Sequence, residues 1–245
     1  MSEGVVGVDA LQSLLEQVDA DPGVLGVILT GSHAREGMVT PNSDTDVLLV
    51  VNEDGRARWR GLHSSELDIG IYTLDELAHP ALPRANIDEW WNRYAFTHSV
   101  VLVDKLDGEI QRLADGQATL TETEALDVSR DFLDGYINFA VRSLKSLRDG
   151  RALESRLDAA ESIGYALTTI YALERRIRPY NKYLLWDLER FPLENPEFES
   201  AGLLRMIEDG VAQKELFTAI EAVARRNDAD DILDDWGDEL VIFRN

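Results

Sequence analysis

Gly31-Ser32-His33-Ala34-Arg35-Glu36-Gly37, followed by Ser43-Asp44-Thr45-Asp46-Val47-Leu48-Leu49-Val50-Val51, is the stretch that organises this chain. An apolar, β-branched run over 24–30 leads into the Gly-Ser pair, so a strand is expected to turn into a helix that opens at Ser32. The chain turns at Thr40-Pro41-Asn42, and two aspartates then stand one residue apart at the start of a second strand-like run, 47–51. Residues i and i+2 of a strand point to one face, which predicts that Asp44 and Asp46 project together with Thr45 opposite. Two close carboxylates repel, and a divalent cation is the usual remedy. Oxygen-only ligands suit Mg²⁺ or Mn²⁺. Gly31 permits close backbone approach, and Ser32 with neighbouring amides can donate to phosphate oxygens. A third acid, Asp68, lies in Glu66-Leu67-Asp68-Ile69-Gly70-Ile71-Tyr72, a segment able to pair beside the second strand and bring Asp68 to the same metal.

Outward from this stretch, the first half alternates helical and strand patterns. Leu11, Leu14, Leu15 and Val18 form a helical stripe over 10–18. Further strands are expected at 67–72 and 99–104, and an aromatic-rich helix with Trp90 and Trp91 at 86–95. From Thr121 onward strand signals nearly vanish. Helices are expected over 131–148, with Phe132, Tyr136, Ala140, Leu144 and Leu147 on one face, and over 153–177, with Leu153, Leu157, Ala160, Gly164, Leu167, Ile170 and Leu173 on one face and a break at Arg178-Pro179. Three more follow at 182–191, 201–209 and 213–226. The fold class is therefore an α+β N-terminal domain, a small mixed sheet with helices, followed by an all-α helical bundle, with domains at 1–118 and 119–245.

Composition narrows the function. The 245 residues include no Cys, and 46 acids stand against 24 bases for a formal charge of −22. Disulfides, Cys-based zinc sites and thiol nucleophiles are excluded. Hydrophobic residues at 44% suffice for a substantial core. No apolar run approaches the roughly 20 residues of a membrane helix, and Met1-Ser2-Glu3-Gly4 lacks the basic start of a signal peptide. A cytoplasmic protein with no membrane partner is expected. The acidity repels nucleic-acid phosphates, so a nucleic-acid partner is not expected, and any polyanionic ligand needs local help from a metal ion. The acidic run Asp228-Ala229-Asp230-Asp231-Ile232-Leu233-Asp234-Asp235 fails the EF-hand template at Ile232 and reads as a solvated helix end. Trp90, Trp91 and Trp186 read as packing residues.

Gly-Ser, an aspartate pair with one residue between, and a third acid on a later strand resemble the nucleotidyltransferase superfamily related to DNA polymerase β. With a helical half behind it, the chain is similar to the antibiotic-modifying branch, the aminoglycoside and lincosamide nucleotidyltransferases. The resemblance covers residues 20–110. It implies a small mixed sheet with helices on one side. It implies transfer of a nucleoside monophosphate, AMP from ATP, to a hydroxyl of a small, hydroxylated, cationic acceptor such as an aminoglycoside, with two Mg²⁺ ions as cofactor. Residue by residue, it implies that Gly31 and Ser32 hold the β- and γ-phosphates, with Arg35 a further phosphate contact. Asp44 and Asp46 become metal ligands, and Asp68 completes the metal site or takes the acceptor's proton. In the helical half, Arg178-Pro179-Tyr180-Asn181-Lys182-Tyr183 stands out because the chain has only 4 Lys against 20 Arg. The resemblance makes Lys182 a triphosphate contact. Asp158 and Glu161, i and i+3 on one helix face, are weaker candidates for the acceptor or the base, set against an ion pair with Arg156. The resemblance also admits a homodimer, and as an alternative function an antitoxin-type or regulatory nucleotidyltransferase that modifies or binds a partner protein.

Overall fold

The computed structural model describes residues 6–61, 66–82, 87–208 and 213–244. Met1–Gly4, Asn86 and Asp209, which carried sequence expectations, lie outside them. The chain divides into two compact units, 1–119 and 120–245.

The first unit runs α1 (Val6–Ala20), β1 (Val24–Leu29), a single 3-10 turn (Ser32–Ala34), β2 (Thr45–Val51), α2 (Glu53–Trp59), β3 (Leu67–Thr73), α3 (Leu74–Ala78), α4 (Ile87–Asn92), β4 (Val100–Asp104) and α5 (Glu109–Ala118). All four expected strands form, in one sheet of order β3-β2-β1-β4. It is mixed, as expected: β1 pairs antiparallel with β2 and β4, and β2 pairs parallel with β3. Alternation splits the strand side chains between two faces. Val27, Val47 and Leu49 pack with Leu14 and Val18 of α1 and Trp59 of α2. Ile28 and Val50 pack on the other face with Leu77 of α3, Phe96, and Ile110 and Leu113 of α5. Helices on one side only were expected from the resemblance; here both faces are covered, because both sets of alternating strand residues are apolar and each needs a partner layer.

Asp21 fixes the entry into β1. Its carboxylate accepts from Gly23 N–H and from Trp59 Nε1, both at 2.8 Å, and meets Arg58. The Trp59 hydrogen bond, then the Gly23 amide and the Arg58 guanidinium, hold its carboxyl below the usual carboxylate range against the opposing effect of burial. A depressed folded-state pKa contributes stability that is fully present above the unfolded value near 4 and is lost as pH falls through the folded value. Acid titration of thermal stability is therefore expected to fall more steeply below pH ~4 in the parent than in Asp21→Asn. Superimposable slopes in that range would show that Asp21 contributes none of the acid sensitivity.

The regular elements of the second unit's described residues are helices: α6 (Glu122–Arg148), α7 (Ala152–Leu173), α8 (Leu184–Arg190), α9 (Ser200–Glu208), α10 (Gln213–Arg226) and α11 (Asp230–Trp236), joined by turns, 3-10 segments and irregular stretches. Thr121 and Glu124 form a reciprocal capping box that starts α6. Two expectations for α7 need correction. Its N-terminal half does not bury the leucine stripe: Leu153 and Leu157 are 60% and 62% exposed, while Ser155, Ala159, Ser162 and Ala166 face inward. Small residues let α6 approach closely, and Ser143 Oγ donates to Ser155 C=O at 2.8 Å across that approach. α7 also ends at Leu173 rather than Ile177, because Arg175 takes a left-handed conformation at φ 57° that no helix can continue through.

Candidate active site

The parallel register of β2 and β3 sets Thr45 beside Leu67 and Asp46 beside Asp68. Paired residues share a face, so the two carboxylates stand on the face that also carries Leu48, Val50, Gly70 and Tyr72. Each is the second residue of its strand. Asp68 is exposed and Asp46 half-buried. Asp44 does not join them by strand alternation, because β2 begins at Thr45 and Asp44 sits exposed in the preceding loop. Among the described residues, no group of three or more His, Asp and Glu side chains is gathered so as to hold a metal ion. The register thus supplies a pair of carboxylates, with Asp44 just upstream on the chain.

Gly31 is built against this pair. It follows β1, where Thr30 N–H donates to Asp46 C=O at 2.9 Å. Its backbone sits at φ 61°, ψ −151°, a region essentially reserved for glycine. A Cβ on Gly31 would lie 1.6 Å from Asp46 Oδ2 and 2.5 Å from Asp46 Cγ. The carboxylate of Asp46 therefore occupies the space that any side chain at position 31 would need.

The segment after Gly31 differs from the expected helix. Ser32-His33-Ala34 makes one 3-10 turn, and the chain leaves it extended at Arg35. Ser32 is 7% exposed. Arg35, expected on a triphosphate, is instead 2% exposed. Its guanidinium donates to the carbonyls of Gly31 (2.7 Å), Thr97 (2.7 Å) and Tyr94 (3.3 Å), and stacks 4.9 Å from the Tyr94 ring centroid. It clamps the Gly31 turn onto the segment before β4, as a positioning residue. Two of its three carbonyl partners lie 59 and 62 positions away in sequence, and no local pattern announces them.

Lys182 is exposed in a 3-10 turn, Asn181–Tyr183, of the second unit, with its ammonium 4.8 Å from the Tyr183 ring centroid. Asp158 pairs with Arg142 of α6 at 3.1 Å, not with Arg156. Glu161 is exposed one turn further along α7. Trp90 is buried at 1% exposure, as a packing residue should be, whereas its neighbour Trp91 is 47% exposed. No described helix is long and apolar enough to cross a membrane.

No family model matches the chain, and no curated protein does. Among solved structures, the chain is similar to a nucleotidyltransferase-like protein from Exiguobacterium sibiricum, at 9% identity and a TM-score of 0.48, covering 92% of this chain and 77% of that one. A likeness of that depth carries no weight on activity.

Proposed function

We propose that this chain transfers a nucleoside monophosphate, AMP from ATP first among the candidates, to a hydroxyl of a small molecule, with aminoglycosides the first acceptors to test. The observation that carries the reading is the Asp46–Asp68 pair in direct register beside a glycine whose missing side chain is replaced by the Asp46 carboxylate.

The donor set fits Mg²⁺ delivered with a nucleotide, since that ion is typically held by one or two carboxylates together with substrate phosphates and waters. When bound, the ion supplies charge neutralisation for the triphosphate and for the oxygens entering and leaving the α-phosphorus. The chain's own residues do the rest. Asp46 and Asp68 anchor the nucleotide complex, with Asp44 in reach of the same loop. Gly31 leaves room for the Asp46 carboxylate against the backbone, and Ser32 stands next to it at the start of the 3-10 turn. Asp68, the more exposed carboxylate, would accept the proton of the attacking hydroxyl while pyrophosphate leaves the α-phosphorus. Arg35 fixes the turn from behind. In a chain of charge −22, a cation held by these carboxylates would give a polyanion a place to bind that the surface at large denies it.

Because two carboxylates are fewer than a bare ion requires, stabilisation is expected to need both components. Thermal unfolding should shift upward with Mg²⁺ and ATP together and little with either alone; at a ligand concentration of 100 Kd the gain is about 2.7 kcal/mol. An equal shift from ATP in the presence of a chelator would remove the metal from this reading. Incubation with α-labelled ATP and an aminoglycoside panel then separates acceptors, and label appearing on a protein band of a lysate instead would favour a partner-modifying role.

A further inference from the structure

A cavity of about 210 Å³ lies in the second unit, lined by the start of α6 and by the ends of α7 and α10. Its apolar lining includes Leu126 and Leu173, both half-buried. Its polar lining is charged, with Glu122, Arg175, Arg226 and Asp228 all exposed. Both α7 and α10 end in the same way. Arg176 N–H donates to Tyr171 C=O at 2.8 Å, and Ala229 N–H donates to Ala224 C=O at 3.1 Å. The residue before each donor is therefore left-handed: Arg175 at φ 57° and Asp228 at φ 56°. Glycine takes that conformation at least cost and is the usual residue there. This chain instead places a charged, cavity-lining side chain at each position. Aspartate tolerates the left-handed region better than arginine does, but a carboxylate at the end of α10 meets the negative end of the helix dipole. Arg226 is committed to Glu197 at 2.7 Å. Among the described residues, the side chains of Glu122, Arg175 and Asp228 have no ionic or hydrogen-bonding partner, each other included.

One guanidinium and two carboxylates thus line one small space beside apolar side chains, and none is neutralised from within the described chain. A cavity of this size keeps such groups within one small molecule of each other, while they remain too far apart to pair directly. Their complement is a zwitterion with an apolar body. We infer that the cavity binds a free aliphatic α-amino acid, its carboxylate on the Arg175 guanidinium, its ammonium between Asp228 and Glu122, and its side chain against Leu126 and Leu173. Guanidinium suits a carboxylate because two of its N–H groups can meet both oxygens. At about 30 Å³ per water molecule, the volume holds roughly seven to nine non-hydrogen atoms, the size of valine or leucine. The lining residues all belong to the second unit, and the inference does not rest on the transfer reading.

Calorimetric titration of the full chain with L-valine and L-leucine tests it, and at least one of them is expected to bind. The N-acetyl derivative of that amino acid lacks the ammonium, and its amide lacks the carboxylate. Each is expected to bind about tenfold more weakly, the loss of one charged hydrogen-bonding group. Arg175→Gly and Asp228→Gly suit the left-handed backbone, so each should melt no lower than the parent while losing about tenfold in affinity. Failure of both amino acids to bind, equal binding of the acetylated or amidated form, or affinity unchanged in both glycine variants would overturn the inference. The derivative series needs no variant, so it decides the matter even where a substitution disturbs the fold.

Discussion

An Asp46→Asn variant is expected to fold as the parent does and to lose nucleotidyl transfer by on the order of 10³-fold. The two halves of this expectation come from one fact, the direct register of Asp46 with Asp68. Without a cation, two like charges on paired residues oppose folding by roughly 0.2–1 kcal/mol. Asn removes one of those charges and keeps an acceptor oxygen of the same shape. The metal-free variant should therefore match the parent's melting temperature or exceed it by about 1–3 °C. The order reverses with Mg²⁺ and ATP present, because only the parent gains the ligand's stabilisation. A crossing of the two stability rankings on ligand addition is the signature to look for, and it is independent of knowing the acceptor. Equal turnover in the two proteins would dismiss Asp46 as a metal ligand. A variant that unfolds in buffer alone would mark Asp46 as a structural residue instead.

The sheet was legible because its strands are short apolar runs bounded by turn residues, and apolar runs of that length bury in few other ways. Asp46 beside Asp68 followed from the same reading, since two such runs pairing side by side put their first acids together. Asp44 did not, because the period-2 argument holds only inside a strand and β2 starts one residue later, at Thr45. The helix expected after Gly31 shrank to one turn for a related reason. Ser32 supplies a start, but Gly37 at φ 79° and the Thr40-Pro41-Asn42 turn leave no run for a helix to extend into. The resemblance puts Arg35 on a triphosphate, and the chain buries it instead. Its burial depends on carbonyls at positions 94 and 97, which only the folded chain presents.

In α7 the pattern misled more interestingly. Leu153 and Leu157 look like a core stripe, yet they are exposed and Ser155 and Ser162 are buried. The opposite burial arises because close approach to α6 favours small side chains whose hydroxyls bond backbone carbonyls, Ser162 Oγ to Ala159 C=O at 2.7 Å among them. Hydrophobicity alone ranks Leu above Ser for burial. Geometry between two long helices can reverse that ranking when the gap is narrow.

Gly31→Ala should be the most damaging single-methyl change in the first unit. Two separate penalties fall on it. The backbone at φ 61°, ψ −151° costs a non-glycine residue about 1–3 kcal/mol. The added Cβ would also stand 1.6 Å from Asp46 Oδ2, a distance no packing tolerates, so either the turn or the carboxylate must move. Displacing a reacting group by about 1 Å costs on the order of 10²-fold in rate, so activity and stability should fall together. A thermodynamic cycle with Asp46→Gly separates the two penalties, since that change deletes the Oδ2, Cγ and Cβ atoms that the new methyl would strike. In the Asp46→Gly background the stability loss from Gly31→Ala should shrink to its backbone part, giving a coupling of about 0.5–3 kcal/mol between the two sites. Strictly additive losses would mean that position 31 matters only for its backbone angles, and that the close fit of glycine and carboxylate has no part in holding Asp46 where a metal-bound nucleotide would need it.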